Sequence, residues 1–115
     1  MTGIFKDWDE VLKQEQNDYF KGAALQRFGH TYDIAIKVIR SIAQWKNLPH
    51  QTDEQCFETA LENGWLDKQP SWTEMAEDYQ RINQKLQQNT EDVYLKLPTY
   101  YKAFSSLFTQ IKKIA

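Results

Sequence analysis

Apolar residues recur at three- and four-residue steps through nearly the whole chain, and between about Tyr19 and Lys46 they do so in two stripes at once. Leu25, Phe28, Tyr32, Ala35, Ile39 and Ile42 form the first stripe; Ala24, Ile34, Val38 and Trp45 form the second, offset from it. This spacing belongs to an α-helix, whose turn of 3.6 residues brings such positions onto one face. Two stripes on one helix predict a central element with neighbours on both sides. Roughly 25–28 residues at 1.5 Å each make it about 40 Å long. Gly22 and Gly29 weaken it mildly. Asn47-Leu48-Pro49 ends it, because proline cannot continue the hydrogen-bond ladder.

Four further segments share the helical period. Ile4 to Gln16 carries Phe5, Trp8, Val11 and Leu12 on one side. A short helix from Asp53 to Asn63 opens on a capping box, in which the Thr52 hydroxyl takes a free N–H and Gln55 reaches back. Its Phe57, Ala60 and Leu61 are expected to face inward. Asn63-Gly64 supplies the left-handed residue of a C-terminal cap, with Trp65 and Leu66 folding back on the last turn. The fourth segment opens on Ser71-Trp72-Thr73-Glu74, a second capping box after Pro70, and its apolar positions from Trp72 to Leu86 carry it to about Gln87. The fifth starts at Asn89 or Thr90, with Glu91 and Asp92 where the helix dipole favours them. Val93, Tyr94, Leu97, Tyr101, Phe104, Phe108 and Ile111 form its stripe. Pro98 falls inside this pattern and is expected to kink the helix or split it. The reading is one all-α domain over residues 1–115, an up-and-down antiparallel four- to five-helix bundle. Four glycines and three prolines are too few turn formers for a many-stranded β fold.

Composition narrows the function classes. A net charge of −2 gives generic nucleic-acid or anionic-membrane binding no electrostatic support. No apolar run approaches the roughly 20 residues of a membrane span. The N-terminal MTGIFKDWDE is too acidic for a signal peptide, and a single cysteine fits a reducing compartment, so a cytoplasmic location is expected. Asp53/Glu54 and Glu91/Asp92 sit at helix starts and read as caps rather than an acid–base pair. His30 in mid-helix and His50 beside Pro49 lack metal-ligand spacing, so no metal is expected; His30 and Asp33 suit an ordinary surface pair. Cys56, flanked by Glu54 and Glu58, reads as a small core residue. The glycines are isolated, so there is no phosphate-cradling loop. Aromatics make up 14% of the chain, and some of these rings should reach the surface as an apolar patch that marks a partner.

The run Ala24-Leu25-Gln26-Arg27-Phe28-Gly29-His30-Thr31-Tyr32-Asp33-Ile34-Ala35-Ile36-Lys37 resembles the signature A-[IL]-Q-R-F-E-x-[TV]-Y-E-[LI]-x-x-K of nucleotidyltransferase substrate-binding proteins, small helical bundles of the HEPN superfamily. Asp53 to Asp67 followed by Trp72 and Met75, and Val93-Tyr94-Leu95-Lys96-Leu97-Pro98-Thr99-Tyr100, resemble two further family segments in the same order. The resemblance covers about residues 20–110. It implies a homodimer that associates with a separately encoded minimal nucleotidyltransferase and helps bind or position its substrate. Related pairs behave as toxin–antitoxin systems in which the HEPN protein is a ribonuclease.

The chain departs from the pattern where that activity would lie. After Trp72 and Met75 the family has D-R-N-x-[TS]-x-H-x-Y; here Asp78 matches, Tyr79-Gln80 replace Arg-Asn, and Arg81 and Asn83 follow from a shifted turn. The motif histidine is missing, and no histidine occurs after His50. Cleaving RNA through its 2′-hydroxyl needs a group that accepts and donates a proton near pH 7, which imidazole does best. An arginine supplies only charge. The reading is therefore a non-catalytic subunit without cofactor or metal. It dimerises, pairs with a minimal nucleotidyltransferase, and contacts nucleotide or RNA only through that complex. Arg27, Tyr32, Lys37, Trp72, Asp78 and Arg81 are its candidate substrate- or partner-binding residues. A HEPN-type ribonuclease toxin and an unrelated helical adaptor are the alternatives.

Overall fold

The computed structural model describes residues 2–66, 72–83 and 90–114. Four helices follow in order: α1 Thr2–Trp45, α2 Asp53–Glu62, α3 Trp72–Asn83 and α4 Glu91–Ile114. The first two predicted segments are one continuous helix of 44 residues. Gln16-Asn17-Asp18 between them is polar but contains neither proline nor glycine, so nothing interrupts the ladder. The stripe of the first segment, Phe5, Trp8, Val11 and Leu12, lies outside the described side chains, as do Ser71 of the second capping box and Leu86 of the fourth segment.

The chain reverses between the successive long helices. Along α1 and α3, Tyr32 stacks on Tyr79 while the earlier Gly29 meets the later Ile82, so the two run antiparallel. Along α3 and α4, Trp72 meets Phe104 and Arg81 meets Asp92, again antiparallel. α1 and α4 consequently point the same way: Lys21 pairs with Glu91, and Phe28 packs on Tyr100 and Phe104. The short α2 braces one side, with Phe57 against Tyr32 and Trp72. The core these four helices share is built from aromatic rings and from Ala35, Ile39, Met75, Val93 and Leu107.

The ends of the elements follow local chemistry. α1 stops where Asn47 takes φ 58°, the left-handed conformation asparagine tolerates best among residues with a Cβ. The Leu48 N–H then reaches the Ala43 carbonyl at 2.8 Å, and the Asn47 N–H reaches that of Gln44 at 3.2 Å. α2 begins as its sequence predicts, with Gln55 N–H donating to the Thr52 hydroxyl at 3.1 Å, while the Gln55 side-chain oxygen accepts from the Gln51 N–H at 2.9 Å. It ends at Gly64, with φ 77°, and the Trp65 N–H donates to Ala60 at 2.8 Å. A Cβ at Gly64 would meet no atom within 4 Å, so the backbone alone resists substitution. Gly64→Ala should therefore destabilise the protein by about 1 kcal/mol, read as a lower urea midpoint at unchanged slope.

Three expectations are corrected. α4 is not split at Pro98: it continues as one helix from Glu91 to Ile114, with Pro98 exposed. Leu61 is exposed rather than inward; Cys56 and Thr59 take the buried positions beside Phe57 and Ala60. The second stripe of α1 is the edge of the core and not a second buried face. Ala24 and Val38 are half-buried against the core, whereas Ile34 and Trp45 are exposed, because α2, α3 and α4 all gather on one side.

The bundle covers only part of α1. A 44-residue helix measures about 66 Å, and the molecule measures 69 × 29 × 20 Å. The first contact of α1 with another helix among the described side chains is the Lys21–Glu91 ion pair at 2.9 Å. The described side chains from Lys13 to Phe20 are exposed.

Candidate functional site

A charged zipper joins α3 to α4. Glu74, Asp78 and Arg81 recur at four- and three-residue steps along one side of α3, and Asp92, Lys96 and Tyr100 recur at four-residue steps along one side of α4. Asp78 lies at its centre and is 3% exposed. Its carboxylate accepts from the Tyr100 hydroxyl at 2.5 Å, from Lys96 Nζ at 3.2 Å and from Arg81 at 3.4 Å. Lys96 also donates to Glu74 at 2.6 Å. The Arg81 guanidinium holds Asp92 through both terminal nitrogens, at 2.7 and 3.0 Å, a bidentate pairing that fixes orientation as well as charge. This pairing holds the Asp92 carboxyl below the usual range and keeps Arg81 protonated still more firmly, while the bond to Glu74 does the same for Lys96.

A second junction lies where α2 meets α1. Asp53 accepts from Arg40 at 3.2 Å and from the Tyr32 hydroxyl at 3.4 Å. Arg40 Nε also donates to the His50 carbonyl at 3.0 Å, which pins the loop between the helices. The Cys56 thiol points to that carbonyl, and burial raises its pKa, as suits an inert core cysteine. The Tyr32 ring stacks on Tyr79 at 4.0 Å, and the Tyr79 hydroxyl donates to Asp33, so the carboxylate expected to pair with His30 is taken by a phenol.

Two of the six predicted site residues, Asp78 and Arg81, are thus brought into one network. Tyr32 and Trp72 are core residues, and Trp72, 4% exposed, packs between Phe57 and Phe104. Its indole N–H is buried and has no acceptor among the described residues. Arg27 and Lys37 are exposed on α1. The partners that sequence reasoning missed are Asp92, Lys96 and Tyr100; their four-residue spacing opposite the α3 series was the available signal. Among the described residues the exposed rings do not form one patch. Tyr19 and Phe20 make an edge-to-face pair at 5.8 Å, and Trp45 stands about 39 Å further along the helix.

Two buried phenols make stability depend on alkaline pH. Burial raises the Tyr32 pKa well above its usual value near 10, helped by Asp53; burial and the bond to Asp78 raise that of Tyr100 further. A folded-state pKa above the unfolded one means that the unfolded chain loses its protons first. The stability these phenols contribute is complete below about pH 10 and is lost as the pH rises past it. Urea midpoints should therefore be level up to about pH 9.5 and fall steadily by pH 11, with a shallower fall in Tyr100→Phe.

Among the described residues no group of three or more histidine, cysteine, aspartate or glutamate side chains is placed to hold a metal ion. None of the described helices is long and apolar enough to cross a membrane. The architecture and the zipper define an all-α helical bundle with a network of ion pairs between α3 and α4, centred on the buried Asp78. The family model described as nucleotidyltransferase substrate binding protein like matches residues 5–113, and the chain belongs to that family. Neither a curated protein nor a solved structure matches it.

Proposed function

We propose that this chain is the non-catalytic, substrate-binding subunit of a two-protein system. It dimerises and pairs in the cytoplasm with a separately encoded minimal nucleotidyltransferase, in a toxin–antitoxin-like arrangement, as one domain over residues 1–115. Family membership supports the nucleotidyltransferase side of this reading. The observation that carries the non-catalytic side is the state of Arg81. Its guanidinium is committed to Asp92 and Asp78, so its charge is already balanced by carboxylates and is not offered to a phosphate. The two histidines are placed elsewhere, His30 exposed on α1 and His50 in the loop after it, with Nδ1 2.8 Å from the Leu48 carbonyl oxygen. Arg27, Lys37 and the outer rim of the zipper are the polar groups left for substrate or partner.

The test is co-expression with the protein encoded beside it, provided that protein carries a G-S-x(8–10)-D-x-D nucleotidyltransferase pattern. The two should co-purify, and sedimentation equilibrium of this chain alone should give twice its 13.7 kDa mass. A monomer that ignores the neighbouring protein would overturn the reading. So would RNA cleavage by the purified chain that Arg81→Ala abolishes, which would favour the ribonuclease.

A further inference from the structure

A groove of about 400 Å³ lies between α2 and α3, and it belongs neither to the zipper nor to the α1–α2 junction. Its floor is apolar: Phe57, Leu61, Trp72 and Ala76. Its rim carries four carboxylates, Asp53, Glu54, Glu58 and Glu77, with Thr73 and Gln80, and among the described residues no cation lines it. Asp53 is bound to Arg40, but among the described residues no cation is paired with Glu54, Glu58 or Glu77. All three are exposed, one turn apart on α2 and facing across on α3.

We infer that the α2–α3 groove is the docking site for a basic, amphipathic segment of a partner protein. The segment sets an apolar side chain on the Phe57–Trp72 floor between lysines or arginines that meet Glu54, Glu58 and Glu77. Charge complementarity selects this occupant. Three carboxylates that meet no cation among the described residues, set around an apolar slot, repel a phosphate backbone and attract cationic side chains. A free polyamine would bring the charge but no apolar side chain for the floor. The apolar floor supplies the anchor pocket and the carboxylates the polar rim of a small protein interface. This inference rests on the reading that the chain works by holding a nucleotidyltransferase, and it names the face that does so.

The experiment is calorimetric titration of the neighbouring nucleotidyltransferase into this chain, into Glu54→Lys/Glu58→Lys/Glu77→Lys, and into Lys102→Ala, an exposed change on α4 outside the groove. Far-ultraviolet circular dichroism and urea midpoints establish that each variant is folded. Should the charge-reversed variant not fold, Glu54→Gln/Glu58→Gln/Glu77→Gln takes its place. Charge reversal should weaken binding about tenfold or more and reduce its salt dependence, while Lys102→Ala changes little. The indole ¹H–¹⁵N resonance of Trp72 should shift when the nucleotidyltransferase binds. Equal affinity for wild type and the glutamate variant overturns the groove and leaves the pairing intact. No binding by wild type overturns the pairing itself, and the groove assignment falls with it. Competition by a single-stranded RNA at the groove would also overturn the assignment, since it would place a nucleic acid there.

Discussion

Asp78→Ala should lower the stability of the protein by about 2–4 kcal/mol, one of the two largest effects expected of any single change. The substitution leaves the Tyr100 hydroxyl buried without its acceptor, which by itself costs about 1–3 kcal/mol. It also removes charge-assisted bonds from Lys96 and Arg81. Both cations are partly exposed and keep a second partner, Glu74 for Lys96 and Asp92 for Arg81, so they rehydrate instead of being stranded. That holds the total below the loss of a fully buried ion pair. Asp78→Asn keeps an acceptor for Tyr100 and should cost about half as much. Urea denaturation of both variants, with Tyr100→Phe and the Asp78→Ala/Tyr100→Phe double variant, closes a cycle that isolates the phenol–carboxylate term. The outcome bears on function as well as stability. If Asp78→Ala stays within about 0.5 kcal/mol of wild type, the carboxylate is not a structural keystone and is free to serve a partner.

Phe28→Ala should be at least as damaging, at about 3–5 kcal/mol. Phe28 is fully buried and stacks on Tyr100 at 5.3 Å, with Phe104 at 6.1 Å and Tyr32 at 6.4 Å. It is where α1 meets α4, and through Tyr32 and Tyr100 it touches both polar junctions. Truncation removes the buried ring and leaves a cavity walled by large, stiff rings that cannot collapse to fill it. Against a total stability of some 5–15 kcal/mol, the loss takes a large share of the fold. Thermal and urea unfolding should show it, and near-ultraviolet circular dichroism should weaken because the ring cluster loses its fixed geometry. Phe28→Leu should be much milder, since it refills most of the space.

Helix registers were legible because burial on a helix writes itself as a 3.6-residue period. The same reasoning placed Leu25, Phe28, Tyr32, Ala35 and Ile39 in the core. Joins were harder. Gln16-Asn17-Asp18 reads as a boundary because it is polar, yet a helix that has left the bundle needs no apolar residue there. The second stripe of α1 misled because periodicity reveals which residues share a side and not how many neighbours pack against it. At the candidate site, family resemblance points to Asp78 and Arg81, whereas Asp92 reads only as a dipole partner and Lys96 and Tyr100 only as members of the family segment Val93–Tyr100. Tyr32 and Trp72 were placed on a binding face by motif position, although each occupies an apolar register that predicts burial. The α2–α3 groove was not legible at all, because Glu54, Glu58 and Glu77 become neighbours only once two helices separated by a loop are packed.

The overhang of α1 has a practical consequence for weighing the protein in solution. The radius of gyration is 18.3 Å, against about 13 Å for a compact chain of similar length. A rod-like particle tumbles and diffuses slowly, so a single copy will leave a sizing column early, near the volume of a globular standard of much greater mass. Elution position would then report a dimer where none exists. Shape-independent mass, from light scattering or sedimentation equilibrium, is the quantity on which any stoichiometry for this chain has to be built.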